Sequence, residues 1–98
     1  MAKRRVRIDD KIMRFFNSAL RMLQPGTANA RFIEGKYDWY FNIEVYSARP
    51  ISKEFVDWAV YKMGMLLDTK PRKFMGKKTY RTFLTVSNGS EFLKVADP

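Results

Sequence analysis

Apolar positions in this chain change period along its length, and each period predicts an element. Ile12, Phe16, Leu20 and Leu23 recur at spacings of four, four and three, with Lys11, Arg14, Ser18 and Arg21 on the other side. That is the period of an amphipathic helix, predicted over 10–23. Asp9 is placed to cap it, Ile8 to staple against Met13, and Asp10 to sit at the positive end of the helix dipole. Pro25-Gly26 stops it, and residues 26–29 read as a loop.

From Arg31 to Ser47 the period becomes two. Glu34-Gly35-Lys36 reads as a turn between a short strand and a longer one. In the longer strand Trp39, Phe41, Ile43 and Val45 alternate with Asp38, Tyr40, Asn42 and Glu44. One face is therefore apolar, and the other is polar with Tyr40 and Tyr46, able to meet water or a partner.

Helical spacing returns after Arg49-Pro50. Ser52 is a cap, Ile51 and Val56 a staple, and Phe55, Ala59, Met63 and Leu66 a stripe, predicting a helix over 53–68 that ends at Lys70-Pro71. A basic hairpin is expected from Lys73 to Val86, bending at Gly76-Lys77-Lys78. A turn at Asn88-Gly89 and a last strand from Glu91 to Val95 follow.

The expected fold is α+β: an antiparallel sheet of four to five strands with two amphipathic helices on one face, in the order α-β-β-α-β-β with an optional last strand. Ile8-Asp9 and Ile51-Ser52 both open a helix, Pro25 and Pro71 both follow one, and Arg31-Phe32-Ile33 and Lys73-Phe74-Met75 both open a β segment. This hints at internal duplication of a unit of about 43 residues. Residues 1–8 are expected to form a flexible basic arm and 9–98 a single domain, in keeping with a length of 98 residues.

Composition narrows the chemistry. Hydrophobic residues make up 46% of the chain, enough for one core, and they are dispersed, so no membrane span or membrane partner is expected. The basic start runs into polar Ile8-Asp9-Asp10-Lys11 rather than an apolar stretch, which favours a cytoplasmic, intracellular protein, in the host cytoplasm if the chain is viral. There is no cysteine and no histidine, which removes disulfides, thiolate nucleophiles, imidazole bases and Cys/His zinc sites. No metal, cofactor or catalytic residue is expected. Glu34-Gly35-Lys36 has a Glu-x-Lys spacing found in metal-dependent nucleases, with Asp9, Asp10 and Asp38 in reserve. Its position at a turn and the brevity of the pattern count against an enzyme.

The net charge is +9, and it is concentrated. Lys3, Arg4, Arg5 and Arg7 in the arm, with Lys70, Arg72, Lys73, Lys77, Lys78 and Arg81 in the hairpin, are ten cations in two segments without an acid. Clusters of this kind suit a polyanion. Phe74, Tyr80 and Phe83 are interleaved with the second cluster, and cations with stackable rings are what single-stranded nucleic acid requires, although a basic hairpin also fits a duplex groove.

The function expected is thus a small, basic, non-enzymatic nucleic-acid-binding protein, for DNA or RNA. Phosphate contacts from the ten cations would be joined by stacking on Tyr80 or Phe83, with weak sequence specificity. A second reading is an inhibitor or adaptor of viral or mobile-element origin that docks an acidic host protein through Trp39, Tyr40, Trp58 and Tyr61. Exposed aromatics would equally suit a homodimer.

Overall fold

A computed structural model describes residues 7–74 and 77–96; over 69–74 and 77–78 it describes the strand backbone only. The elements are α1 (Asp10–Leu23), β1 (Ala28–Glu34), β2 (Tyr40–Ser47), α2 (Lys53–Val56), which runs on as π-helix over Asp57–Lys62, then β3 (Leu66–Phe74), β4 (Lys77–Ser87) and α3 (Glu91–Ala96). The strands form one antiparallel sheet in the order β1-β2-β4-β3. The molecule is α+β, with three helices against one face.

Helix α1 has the expected limits. Asp9 accepts a hydrogen bond from the Ile12 amide at 3.0 Å, and Ile12, Phe16 and Leu20 are buried. They meet Phe41, Ile43 and Val45 of β2 and Leu84 and Val86 of β4, the two central strands, in one core with Phe55, Ala59, Met65 and Phe92. Phe16 is its hub, with edge-on contacts to Phe32, Phe55 and Phe92. Aromatic pairs prefer this geometry because a ring's positive edge meets its neighbour's negative face.

Gln24, directly after α1, joins the first helix to the second. Its buried amide donates to the Pro50 carbonyl at 3.0 Å and accepts from the Ser52 amide at 2.7 Å. Ser52 caps α2 by accepting from the Phe55 amide and donates its hydroxyl proton to the Leu23 carbonyl. The end of one helix and the start of the next thereby satisfy each other's unpaired backbone groups.

Three expectations fail. Ala28 and Asn29, expected in a loop, open β1. The second helix stops at Lys62, well short of 68, because Gly64 takes a left-handed conformation (φ 72°) that turns the chain into β3. Leu66, expected in the helical stripe, and Leu67, within the expected helix, are strand residues; Leu66 is 72% exposed on the sheet edge. The hairpin consequently starts at Leu66 rather than Lys73, and its expected bend at Gly76 lies outside the described residues. The last segment is helix α3, not a strand. Phe92 and Ala96, four apart, are both buried, and the Phe92 amide donates to the Met63 carbonyl at 3.0 Å. Its ring closes the core against Phe15 and Trp58, a tertiary contact that outweighs the strand preference of a six-residue segment.

Candidate functional site

The helices cover one face of the sheet and leave the other open. Strand alternation and register decide which side chains go there. Phe41, Ile43, Val45, Thr82, Leu84 and Val86 face the core. The opposite face aligns Arg31, Glu44, Phe83 and Asp68 across the four strands in one row, and Asn29, Tyr46 and Arg81 in the next.

Glu44 lies on this open face and is nevertheless 3% exposed. Its neighbours close over it. The Tyr46 hydroxyl donates to one carboxylate oxygen and the Arg81 guanidinium to the other. The Tyr46 hydrogen bond, then the Arg81 hydrogen bond and the charges of Arg81 and Arg31, hold the Glu44 carboxyl below its ordinary range against the opposing effect of burial. The same hydrogen bond, with burial, pushes the Tyr46 phenol up. Arg81 also lies over the Phe83 ring, 5.6 Å from its centroid, in cation–π range. In the adjacent row the Thr85 hydroxyl donates to the Asn42 side-chain oxygen at 3.0 Å. Glu44 thus fixes an arginine and a tyrosine on the surface beside a phenylalanine.

The basic hairpin departs from this face. β2 pairs with β4 only as far as Ser47 opposite Tyr80, whereas β3 and β4 remain paired through Arg72 and Thr79, Lys73 and Lys78, and Phe74 and Lys77. These pairs form a two-stranded ribbon reaching about 10 Å past the sheet. Lys70, Arg72, Lys73, Lys77 and Lys78 are on it or at its root; Arg81 is the root residue whose side chain is placed, next to Glu44. Pro71 is in β3, an edge strand, where its missing amide proton breaks no ladder.

The aromatic residues expected to stack on bases separate. Phe83 is on the open face, and Tyr80, one step out of phase, is half-buried on the other side beside Ser47. Of the arm, Lys3, Arg4 and Arg5 lie outside the described residues. Arg7 lines a cleft of about 280 Å³ with Glu34, Tyr37, Asp38 and Tyr40 at the β1–β2 loop, the end of the sheet opposite the ribbon. Arg7 and the ribbon are therefore about 25 Å apart, the length of β2.

The four aromatics of the docking reading also part company. Trp39 and Tyr40 adjoin at 4.6 Å, with Tyr37 stacked on Trp39. Trp58 packs into the core rings Phe15, Phe16, Phe55 and Phe92, and Tyr61 is 80% exposed on the second helix. Asp9 caps α1, while Glu34 and Asp38 share the Arg7 cleft. No three acidic residues among those described are grouped so as to hold a metal ion, and no described helix is long and apolar enough to cross a membrane.

Two features of the site escape a reading of the sequence. Alternation places Tyr46 and Glu44 on the polar face but gives no sign that Glu44 is buried there, because its cover comes from Arg81, 37 residues away. The reach of the ribbon past the sheet depends on where β2 ends relative to β4, which is a matter of register. The chain matches no family model, no curated protein and no solved structure.

Proposed function

We propose that this protein is a non-enzymatic nucleic-acid-binding protein whose β3–β4 ribbon grips the phosphate backbone. The observation that carries this reading is the coincidence of shape and charge. The part of the hairpin that outruns β2 carries Arg72, Lys73, Lys77 and Lys78 of the acid-free cationic run, and Lys70 and Arg81 pair at its root. A segment that projects from the sheet gains little from core packing. Its cations repel one another until a polyanion neutralises them.

A two-stranded ribbon has the width for a duplex groove and also presents both edges to a single strand. Phosphate contacts position without reading sequence, so specificity is weak. Arg7, at the far end of the sheet, and Lys3, Arg4 and Arg5 before it in the sequence add a second electrostatic contact. On the same reading the two α-β-β halves are copies of one unit, the second lengthened into the ribbon.

The test is charge reversal on the ribbon. In the folded Lys73→Glu, Lys77→Glu, Lys78→Glu variant, fluorescence-anisotropy titration with labelled DNA and RNA is expected to show affinity reduced on the order of a thousandfold at moderate salt while the circular-dichroism spectrum and Tm hold. Retained binding refutes the ribbon as the site.

A further inference from the structure

We infer that the open face of the sheet is a stacking platform for single-stranded nucleic acid, with Tyr46 and Phe83 receiving bases and Glu44 acting as the positioning residue that holds Tyr46 and Arg81 in place. This deepens the nucleic-acid reading and rests on it. The ribbon supplies charge. The face, where Arg31 and Arg81 are set against Glu44 and Asp68, supplies little net charge and must contribute something else.

What it contributes is flat, pre-set surface. Tyr46 is 39% exposed, yet its hydroxyl is held by Glu44. Arg81 is fastened on one side to the same carboxylate and rests on the other over Phe83. A tyrosine, a guanidinium plane and a phenylalanine are thus fixed on neighbouring rows of β2 and β4, the two central strands. Side chains of this kind receive unstacked bases, because every base has a π-face and a ring already held in position loses little freedom on binding. Around them Asn29, Asn42 and Thr85 offer polar groups to base edges and sugars.

The occupant is single-stranded because a duplex keeps its bases stacked inside and presents only phosphates and groove edges to a flat sheet. The charge of the adjoining ribbon supports the same occupant. Arg81 is both the last cation of the ribbon run and the centre of the face, so a strand gripped by the ribbon is led onto the platform.

Burying a carboxylate beneath a surface meant for a polyanion serves binding only through geometry, and that makes the role of Glu44 separable. Glu44→Gln removes a negative charge. If the face acted by charge alone, this variant would bind every nucleic acid more tightly. If Glu44 positions Tyr46 and Arg81, single-strand binding falls instead.

The experiment uses the full chain and labelled oligonucleotides of mixed sequence: single-stranded DNA, single-stranded RNA and duplex DNA, each titrated at several salt concentrations. Phe83→Leu and Tyr46→Leu are each expected to weaken single-strand binding about tenfold, the effect of losing one stacked base. Duplex binding and the dependence on salt should not change. Glu44→Gln should weaken single-strand binding and not duplex binding. Tyr46→Leu, at an exposed site, keeps the test open if Phe83→Leu fails to fold. Unchanged single-strand affinity in folded variants, equal losses on duplex, or tighter binding by Glu44→Gln would overturn the platform. The ribbon variant separates the two claims. If it loses binding and the face variants do not, only the platform falls; if it binds as the parent does, the ribbon falls as the site, and a parent that binds none of the three oligonucleotides overturns the nucleic-acid reading itself.

Discussion

The two hairpins of the sheet are built alike and end differently. β1–β2 closes in a short loop held to the first residue of β2. A Cβ added at Gly35 would lie 2.5 Å from the Tyr40 carbonyl oxygen and 2.7 Å from its ring, and the Tyr40 hydroxyl accepts a hydrogen bond from the Lys36 amide at 2.9 Å. β3–β4 has longer strands and leaves the sheet. The first hairpin ties its loop to Tyr40 at the start of β2, and the strands of the second run past the sheet with a set of like charges. On the proposed reading, the overhang and its like charges serve a polyanion. The same contrast separates Arg7 from the ribbon, since Arg7 shares a cleft with Glu34 and Asp38 at the β1–β2 loop, whereas no acid occurs in the sequence of the ribbon.

The contrast breaks most readily at the ribbon tip. Charge reversal at Lys73, Lys77 and Lys78 is expected to cost on the order of a thousandfold in affinity at moderate salt, with denaturant unfolding unchanged. The converse is expected at the other tip. Gly35→Ala forces its new methyl group against Tyr40 and should destabilise the fold by about 1–3 kcal/mol, seen as a lower urea midpoint, and leave the salt dependence of binding intact. A Gly35→Ala chain as stable as the parent would show that the first tip is not packed as described.

Between the hairpins, Ser52→Ala removes the cap that ties α2 to Leu23 and should lower stability by about 1 kcal/mol, again without altering binding. The smallest effect concerns pH. Glu44 has its pKa lowered on folding, so its ion pair stabilises the protein above the ordinary carboxylate range and that stability is lost as pH falls through the folded value. Glu44→Gln should flatten the acid limb of the stability profile measured by urea titration. Tyr46 has the opposite sign: its raised pKa favours the fold below about 10, and the contribution disappears as pH rises through the folded value.

Much of this contrast was legible in the residues. The period of α1 and the cap at Asp9 set the first helix, alternation set the core face of β2, and the cationic hairpin stood out by composition. The exit of the second helix did not, because Met63, Leu66 and Leu67 continue a helical stripe past the point where Gly64 ends it. Gly64 was the visible signal, a left-handed stop inside an apolar run. The last element was misread since Phe92 and Ala96 give a single helical spacing, too little to establish a period. Tyr80 and Phe83 illustrate the limit at the site. Both are aromatic residues among cations, and only the register of β4 against β2 sends one to the covered face and the other to the open one.

The central claim is that the overhanging ribbon is an electrostatic grip, and the slope of log K against log salt tests it most directly. Anisotropy titrations of the parent and of the Lys73→Glu, Lys77→Glu, Lys78→Glu variant with duplex DNA should give a steep slope for the parent. Removing three phosphate contacts should flatten it by roughly 2.7. Equal slopes for the two folded proteins would contradict the account and return the charge of the ribbon to an incidental property of the surface.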